Sequence, residues 1–475
     1  MSAAVGSGTY TRDLAEFAHD MRLGDVPEAA QHETLRILVD CLGCGVAGLV
    51  APGTRIAIDL AKDEHGPLEG NVISTGPASV LPASYANTAA INSLDFDVYG
   101  PEAHLSPVVV SATLAMGDAV DASGADALAA MCAGFEVGGR IGAALRRAGM
   151  GGEREMGAVR GQGNVVFGAA VAAGRLLGLS REQMHHALGI AGYSATVPTM
   201  RKFLASSLPM TKYDHLALMT QTGVQAALLA QRGFTGDLEV LEGEEIGFWR
   251  FAGAPGCEWS ALTGDLGRRW VLPEVSYKLY PAGLYNSSAI SEVQRLVREH
   301  HLRPDEIERV EIRGSRGSSG PARPKPTHYL SAWGNSAYTI AAGVFDIRPL
   351  RSWEQPHIFQ RPDILGFMEK VQFKPLREGE VTTTGNYWER WAPIRVTIEA
   401  RGQLLEGGRD YHPSLNDTEL VAKFHDNVGG LLNDDAAQRL ERACWDFQRL
   451  PRVSELTQIL AQADASQVEG SVSSR

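Results

Sequence analysis

Short apolar segments rich in alanine and glycine follow one another through the first half of this chain of 475 residues. Because glycine and alanine allow helix backbones to approach closely, such segments predict helices packed against other helices rather than helices that cover a sheet. In two early segments the apolar residues recur at the spacing of one helix face. They are Leu14, Phe17, Ala18 and Met21, then Leu35, Leu38, Val39 and Leu42. Further helices are predicted over 83–93, 106–121, 124–147, 164–178, 181–192 and 215–232.

The sequence also contains residues that indicate where these helices begin and end. Asp25 followed by Glu28 predicts a capping box that opens the second helix. Ser180 followed by Gln183 predicts another helix start, and Gly233 is placed to end the helix over 215–232.

Composition and charge exclude several classes of protein. Hydrophobic residues make up 44% of the chain, so a large buried core is expected, and the net charge of −12 disfavours sequence-independent binding of nucleic acid. The apolar stretches are interrupted well before the ~20 residues that a membrane span needs, so no membrane segment is expected. Met1 to Thr9 lacks a charged region followed by an apolar run, and the five cysteines are few and odd in number. We therefore expect no export signal and a reducing, cytoplasmic location.

The hydrophobic pattern changes near residue 273. Val310 and Ile312 alternate with charged residues, and so do Val371 and Phe373. Residues 394–400 alternate most clearly and are followed by a turn signal, Arg401-Gly402. Helical periodicity returns after Ser414, with Leu415-Asn416-Asp417 as a start signal. The sequence thus predicts a mainly α protein, with an all-helical domain built from both chain ends (1–272 and 411–475) and an inserted α+β domain over 273–410.

Metal and nucleotide motifs are not evident in the sequence. Cys41 and Cys44 form a CxxC without a second cysteine pair, inside a helical pattern, and are interpreted as part of a buried helix face. The stretch around Gln162 resembles a dinucleotide fingerprint only superficially, because it follows no strand. Asn164 could cap the next helix, whose free N–H groups favour an anion, and Arg160 lies just upstream. This segment is either a carboxylate-binding loop or a plain surface loop.

Three other segments combine residues that could carry chemistry. The first places Asp95, Asp97, Tyr99 and His104 in one loop between helices, although a solvated turn would have the same composition. In the second, Lys212 and His215 open a helix, where a lysine opposes the helix dipole and an anionic ligand would compensate. The third, residues 277–282, contains Lys278 at the junction between the two patterns, and such junctions favour ligand pockets. Each segment taken alone could also be structural.

The order of these segments and their amino-acid sequences resemble those of the MmgE/PrpD family, which includes 2-methylcitrate dehydratase, cis-aconitate decarboxylase and iminodisuccinate epimerase. The resemblance covers nearly the whole chain. It is carried by LRILVDCLGCGVAG, NSLDFD, GFEVGGRIGAAL, FGAAVAAGRLLGLSREQMHHALGIAG, TKYDH with VQAALLAQRGFTG, YKLYPAG and HPSLNDTELVAKF. It implies an all-helical domain, an inserted α+β lid and a homodimer.

The resemblance also implies roles for individual residues. The catalytic set carried over consists of Asp95, His104, Lys212, Lys278 and, in the inserted domain, Tyr338. The expected substrate-binding residues are Tyr99, Arg160, Gln162, Asn164 and His215. Tyr99 and Gly283 stand where the decarboxylases have Thr and a second His, and Gln162 stands where many members of the family have the His of an HPT motif.

The reactions of such a family develop negative charge on a carbon next to a carboxylate. Two lysines would stabilise an enolate-like dianion, His104 would transfer the proton, and Asp95 would orient His104. Tyr99 or Tyr338 could hydrogen-bond a leaving hydroxyl or protonate a carbanion. This set requires neither metal nor organic cofactor, so none is expected.

The hypothesis favoured by the sequence is a dehydratase or hydratase that acts on a small polycarboxylate or hydroxy acid. An epimerase or isomerase, or a decarboxylase with an altered pocket, is the alternative. A third hypothesis is a binding protein that has lost catalysis, motivated by the missing histidines at 162 and 283. The expected partner is a small anionic substrate.

Overall fold

The computed structural model describes residues 9–147, 163–195, 209–243, 245–314, 324–380, 393–412 and 414–466. Within these ranges the chain is mainly helical, as the sequence predicts. The longer helices are Tyr10–Asp20, Glu28–Ala47, Pro52–Lys62, Val80–Asn92, Leu105–Ala119, Gly124–Arg147, Val165–Leu176, Arg181–Tyr193, Thr211–Gln231, Leu284–Glu299, Ser336–Val344, Asp417–Val428 and Asp434–Trp445. Shorter helices are Phe248–Phe251, Trp259–Thr263, Tyr329–Trp333, Pro356–Phe359, Pro362–Phe367 and Ser454–Leu460.

Small residues set the distance between the helices, as expected from the sequence. A Cβ placed on Gly134 would lie 2.7 Å from the carbonyl oxygen of Gly168, on the neighbouring helix. A Cβ on Gly223 would lie 2.6 Å from the carbonyl oxygen of Val166. Side chains at these positions would force the helices Gly124–Arg147, Val165–Leu176 and Thr211–Gln231 apart, because backbone atoms cannot yield as a flexible side chain can.

The three predicted strands and a fourth one, after the predicted turn, form one sheet with the order β4-β3-β5-β6. Strands β3 and β4 are parallel, whereas β3–β5 and β5–β6 are antiparallel. Arg401 and Gly402 both have positive φ (53° and 70°) and join β5 to β6 in the tight turn that their sequence predicts. The four strands are β3 (Ile307–Gly314), β4 (Val371–Pro375), β5 (Ile394–Ala400) and β6 (Gln403–Arg409).

A second, two-stranded sheet lies among the helices of the first half and was not predicted. Strand β1 (Glu69–Val72) pairs antiparallel with β2 (Gly76–Ser79). The strands are four residues long and contain glycine, proline and serine instead of the β-branched alternation that marks a strand in sequence.

Buried apolar side chains form two large cores. One contains residues from Leu14 to Tyr277 and again from Leu420 to Ala463. The other contains residues from Tyr280 to Ala400. The chain therefore leaves the first core, builds the second, and returns. The domain boundaries at 272/273 and 410/411, and the action of the second core as a lid, stay predictions.

Two helix starts confirm the sequence signals and one corrects them. Ser180 and Gln183 form the predicted capping box, and Asn416 with Glu419 forms another after the chain returns to the first core. Asp25 does not cap the second helix. Its carboxylate accepts the backbone N–H of Arg22 and closes a short 3₁₀ turn, Leu23–Asp25, because Pro27 forces extended backbone before the helix begins at Glu28.

The helix segment Gly124–Leu145 is long and apolar enough to cross a membrane, and a bent pair, Glu28–Val50 with Pro52–Lys62, passes the same test as one unit. The most apolar stretch of Gly124–Leu145 is entirely buried inside the fold. That burial is typical of the central helix of a globular core.

Candidate active site

The predicted loop between the helices Val80–Asn92 and Leu105–Ala119 is buried rather than solvated. Asp95 and Asp97 are both almost fully enclosed. Asp95 has a positive φ of 48°, a conformation that aspartate tolerates better than most residues. The ammonium of Lys278 donates to the carbonyl oxygen of Asp95 over 2.7 Å, which holds the backbone in this bend. The solvated-turn interpretation of this segment is therefore wrong.

Two lysine ammonium groups hold the carboxylate of Asp95. Lys212 Nζ lies 3.1 Å from Oδ1, and Lys278 Nζ lies 3.0 Å from Oδ2. Lys212 comes from the first turn of the helix Thr211–Gln231, and Lys278 comes from the segment that links the two cores. The sequence analysis placed both lysines near an anion, and in this structure Asp95 is such an anion.

Burial and charge oppose each other at this cluster. Burial alone would raise the pKa of Asp95, but Lys212 and Lys278, followed by His104, hold that pKa below its ordinary value. Burial also lowers the pKa of Lys212, and Lys278 lowers it further. The ring of Trp333 lies 3.8 Å from Lys212 Nζ and supplies a cation–π contact in this dry environment.

His104 stands between the two carboxylates of the loop. Its Nδ1 lies 3.0 Å from Asp97 Oδ2 and its Nε2 lies 3.3 Å from Asp95 Oδ1. Asn92 donates to the other oxygen of Asp97 over 2.8 Å, so Asp97 is held in position to accept the Nδ1 proton. The edge of the Tyr99 ring packs against the imidazole, with 4.7 Å between ring centroids. Asp97 is thus the closer orienting partner, a role that the sequence analysis assigned to Asp95.

A buried ion pair supports this loop from behind. Lys423 Nζ lies 2.7 Å from Asp40 Oδ1 and donates to the carbonyl oxygen of Phe96, also over 2.7 Å. The second oxygen of Asp40 accepts the backbone N–H of Val98. The sequence analysis missed this pair. Its signal was a charged residue on an apolar helix face, which is expensive to bury without a partner.

Another missed residue is Glu354, a buried carboxyl group at the end of the 3₁₀ turn Arg351–Glu354 in the second core. Its charge interacts with Asp95, Lys212 and Lys278. The sequence offered no signal for it, because nothing in the local pattern distinguishes this glutamate from a surface acid.

The remaining predicted residues divide into three groups. His215 is buried close to the cluster, and burial followed by the charges of Lys212 and His104 lowers its pKa to about 4. Tyr338 lies in the second core, and its hydroxyl donates to the carbonyl oxygen of Trp353 over 2.5 Å. Arg160 and Gln162 lie outside the described residues.

Asn164 occupies the cap position of the helix Val165–Leu176 but does not cap it. Its backbone is already helical, and its side chain donates to the carbonyl oxygen of Gly138 on the adjacent helix. The predicted capping role is wrong, because the close approach of the two helices offers the amide a buried acceptor.

Among the described residues, Asp95, Asp97 and His104 bring potential metal-ligand atoms within 4.8 Å of one another. The donor set does not favour a cation. Two ammonium groups already neutralise Asp95, and a divalent ion would have to share that carboxylate with them at short range.

These contacts describe a dry site with two fixed cations, an imidazole oriented for proton transfer, and a carboxylate between them. Such a site can bind a small anion and stabilise charge that develops on a carbon next to a carboxylate. Lys278 uses two N–H groups on Asp95, and its third finds no acceptor among the described residues.

Two family models and several known proteins match this chain in sequence. The family model for the MmgE/PrpD N-terminal domain matches residues 12–257, and that for the MmgE/PrpD C-terminal domain matches residues 280–447. Human cis-aconitate decarboxylase is 27% identical over 95% of this chain and 94% of its own length. A cis-aconitate decarboxylase-like protein of Aspergillus oryzae is 24% identical over 96% and 98%. The cis-aconitate decarboxylase of Aspergillus terreus is 23% identical over 95% of both chains.

Proposed function

The chain belongs to the MmgE/PrpD family, and on that premise we propose that it is a decarboxylase acting on a small unsaturated polycarboxylate of the cis-aconitate class. The relatives that match it over nearly their whole length are named cis-aconitate decarboxylases. This ranks carbon dioxide release above the water chemistry that the sequence analysis favoured.

The observation that carries the proposal is the pairing of Lys212 and Lys278 around one buried carboxylate. Two ammonium groups about 3 Å from a single anionic group form a strong local field for a carboxylate-bearing substrate. The field is fixed before the substrate arrives, so little reorganisation is needed when charge moves during the reaction.

The proposed step conserves charge and atoms. The bond between the carbon skeleton and one carboxylate breaks, and that carboxylate leaves as carbon dioxide. The bonding electron pair stays on the skeleton and is delocalised through the double bond into a remaining carboxylate, next to Lys212 and Lys278. One proton must then be added to carbon, so each turnover consumes one proton.

Two departures from the decarboxylase pattern, at positions 99 and 283, bear on the choice of substrate. Tyr99 packs on the His104 ring, and Gly283 begins the helix Leu284–Glu299, where a second histidine would stand in the decarboxylases. A larger group at 99 and a smaller one at 283 would reshape the pocket without removing the lysines. We propose that they change which polycarboxylate fits.

Hydration or dehydration is the second candidate, because His104 is oriented by Asp97 in a manner suited to proton transfer at carbon. Decarboxylation and hydration or dehydration differ in the change of mass between substrate and product. Purified protein without added metal or cofactor is offered cis-aconitate, 2-methylcitrate, citrate, isocitrate and iminodisuccinate, and products are identified by mass and chirality.

Loss of carbon dioxide from cis-aconitate or a close analogue supports the proposal. A change by one water supports the hydro-lyase instead, and inverted chirality at constant mass supports an epimerase. Lys212→Ala, run beside the wild type, should abolish the activity. If the wild-type protein binds these compounds but converts none of them, it is not an enzyme that acts on them, and the proposal is contradicted.

A further inference from the structure

Glu354 is a buried carboxyl group whose hydrogen-bonding capacity is unused. Its side chain is 2% exposed, and neither carboxyl oxygen has a hydrogen-bond partner among the described residues. Burying an unpaired carboxyl group costs several kcal/mol in an apolar environment, more for the ionised form. Native proteins rarely leave a buried polar group without a hydrogen-bond partner, so a bound ligand is expected to supply one.

Glu354 lies close enough to the lysine–aspartate cluster for their charges to interact. Burial raises the pKa of Glu354 well above its ordinary value, and the negative charge of Asp95 raises it further, while Lys212 and Lys278 act in the opposite direction. Tyr329 and Tyr338, on the two helices that precede this turn in the chain, also interact with its charge.

A cavity of about 420 Å³ reaches this carboxyl group and the site loop together. Glu354 and Leu94, the residue directly before Asp95, both line it. His328 and Arg55 are the basic residues along its wall. The cavity is large enough for a small polycarboxylate, and a ligand there would contact Glu354 next to the start of the site loop at Leu94.

The position of Glu354 is fixed through the residue before it. The carbonyl oxygen of Trp353 accepts the hydroxyl of Tyr338 over 2.5 Å, and the indole N–H of Trp353 donates to the carbonyl oxygen of Ile347. Tyr338, which the resemblance places at the site, thus anchors the turn that carries Glu354.

We propose that Glu354 is a further catalytic residue, the carboxylic acid that donates a proton to the substrate carbon that becomes electron-rich. The inference rests on the proposed lyase function and extends it by naming the proton donor. When carbon dioxide leaves, the electron pair on the skeleton takes the proton from Glu354, the O–H electrons remain on its oxygen, and a C–H bond forms. The resulting carboxylate, in the field of Lys212 and Lys278, regains a proton from water before the next turnover.

The experiment compares Glu354→Gln with the wild type. Glutamine keeps the size and the hydrogen-bonding ability of the side chain but has no acidic proton to give. We expect kcat to fall by about 10²-fold or more, with KM changed by less than about threefold. Glu369→Gln, at an exposed carboxylate paired with Lys325, is the matched control and should retain wild-type kcat. An unchanged kcat in Glu354→Gln would overturn the proposal.

Two further readouts separate a chemical role from a structural one. Infrared difference spectra between wild type and Glu354→Gln should show a protonated carboxyl band that only the wild type has, whether or not a substrate has been found. Absence of that band would overturn the inference. A rise in KM with unchanged kcat would assign Glu354 to binding and would also overturn it.

Failure of the proposed function has a different signature. If the wild type turns over a substrate by adding or removing water, decarboxylation is wrong, and the kcat comparison is made on that reaction. If Glu354 protonates carbon in that reaction, Glu354→Gln should show the same fall in kcat when the reaction is measured in the direction that forms the C–H bond. Retained turnover in that direction would overturn the inference about Glu354.

Discussion

Lys423 and Asp40 form a buried ion pair directly behind the site loop, with 2.7 Å between Nζ and Oδ1. Each partner also holds one backbone group of the loop, the carbonyl of Phe96 for Lys423 and the N–H of Val98 for Asp40. Four groups from three distant parts of the chain thus satisfy one another. The loop that carries Asp95 and Asp97 takes its shape from this arrangement.

Lys423→Met should destabilise the protein by about 3–5 kcal/mol, because it leaves the carboxylate of Asp40 buried without its cation. Chemical denaturation measures the loss. Lys62→Met, which breaks an exposed pair with Asp59, is the matched control and should cost less than about 1 kcal/mol. Equal losses in the two variants would show that the buried pair contributes nothing particular to stability.

Lys278→Ala should lower kcat/KM by at least about 10²-fold, because a fixed cation beside the developing charge is lost. Steady-state kinetics on the substrate found in the turnover panel measures the effect. Lys374→Ala removes a half-exposed lysine that pairs with Glu311 and should leave kcat/KM unchanged. Near-wild-type turnover by Lys278→Ala would remove this lysine from the site.

Asp97→Asn should reduce kcat by about 10²-fold with little change in the fold, because the amide no longer supplies a charged acceptor for His104 Nδ1. Circular dichroism reports the fold and steady-state kinetics reports kcat. Asp126→Asn, at an exposed side chain in the first turn of the helix Gly124–Arg147, serves as the control. If both variants keep full kcat, His104 does not depend on Asp97 for its orientation.

The buried His215 should make stability depend on acid pH. The folded state binds a proton at this imidazole only near pH 4, whereas the unfolded chain binds it near 6.5, so the unfolded state gains protons first as pH falls. The stability contribution is complete above about pH 6.5 and declines, by about 3 kcal/mol in total, as pH falls towards 4. Denaturation curves from pH 7 to 4 measure the decline.

His215→Gln should flatten that part of the pH dependence. His65→Gln, at an exposed imidazole beside Glu69, should leave it as in the wild type. The interpretation is wrong if the wild type and His215→Gln lose stability in parallel between pH 7 and 4.

Glu354 should impose a slope of the opposite sign, which begins at about pH 4.3 and continues to higher pH. The folded protein retains the carboxyl proton after the unfolded chain has lost it near pH 4.3, so stability falls as pH rises from there towards the raised folded pKa. Glu354→Gln should remove this decline and become the more stable protein at alkaline pH, as denaturation at pH 5 and pH 8 can show. A variant less stable than the wild type at both pH values would contradict the prediction.

Local rules predicted much of the fold. Strand β5 alternates buried and half-buried residues as its sequence does, and the helix starts at Ser180 and Asn416 use side chains three residues apart. Such signals depend on near neighbours only. The hairpin of β1 and β2 was missed because it is held by pairing and by the helices around it rather than by strand-forming residues.

The site could be predicted only in part, for a similar reason. Four site residues could be recognised because each lies in a segment with an unusual combination of residue types for its position. The structure brings all four together: Asp95, His104, Lys212 and Lys278. Asp40, Lys423 and Glu354 contribute through distant contacts, and a charged residue on a helix or turn does not reveal its partner. Asp97 was visible in sequence, but its position relative to His104 depends on the bend at Asp95.

The span of the Asp40–Lys423 pair has a consequence for biosynthesis. The partners are 383 residues apart in the chain, so translation must continue for 383 residues beyond Asp40 before the cation behind the loop exists. Until then Asp40 can be neutralised only by taking up a proton or by staying in contact with water. A nascent chain that ends before Lys423 can contain every lysine, histidine and aspartate of the reaction and still lack a formed site. Its activity appears only when the helix Asp417–Val428 has emerged and docked.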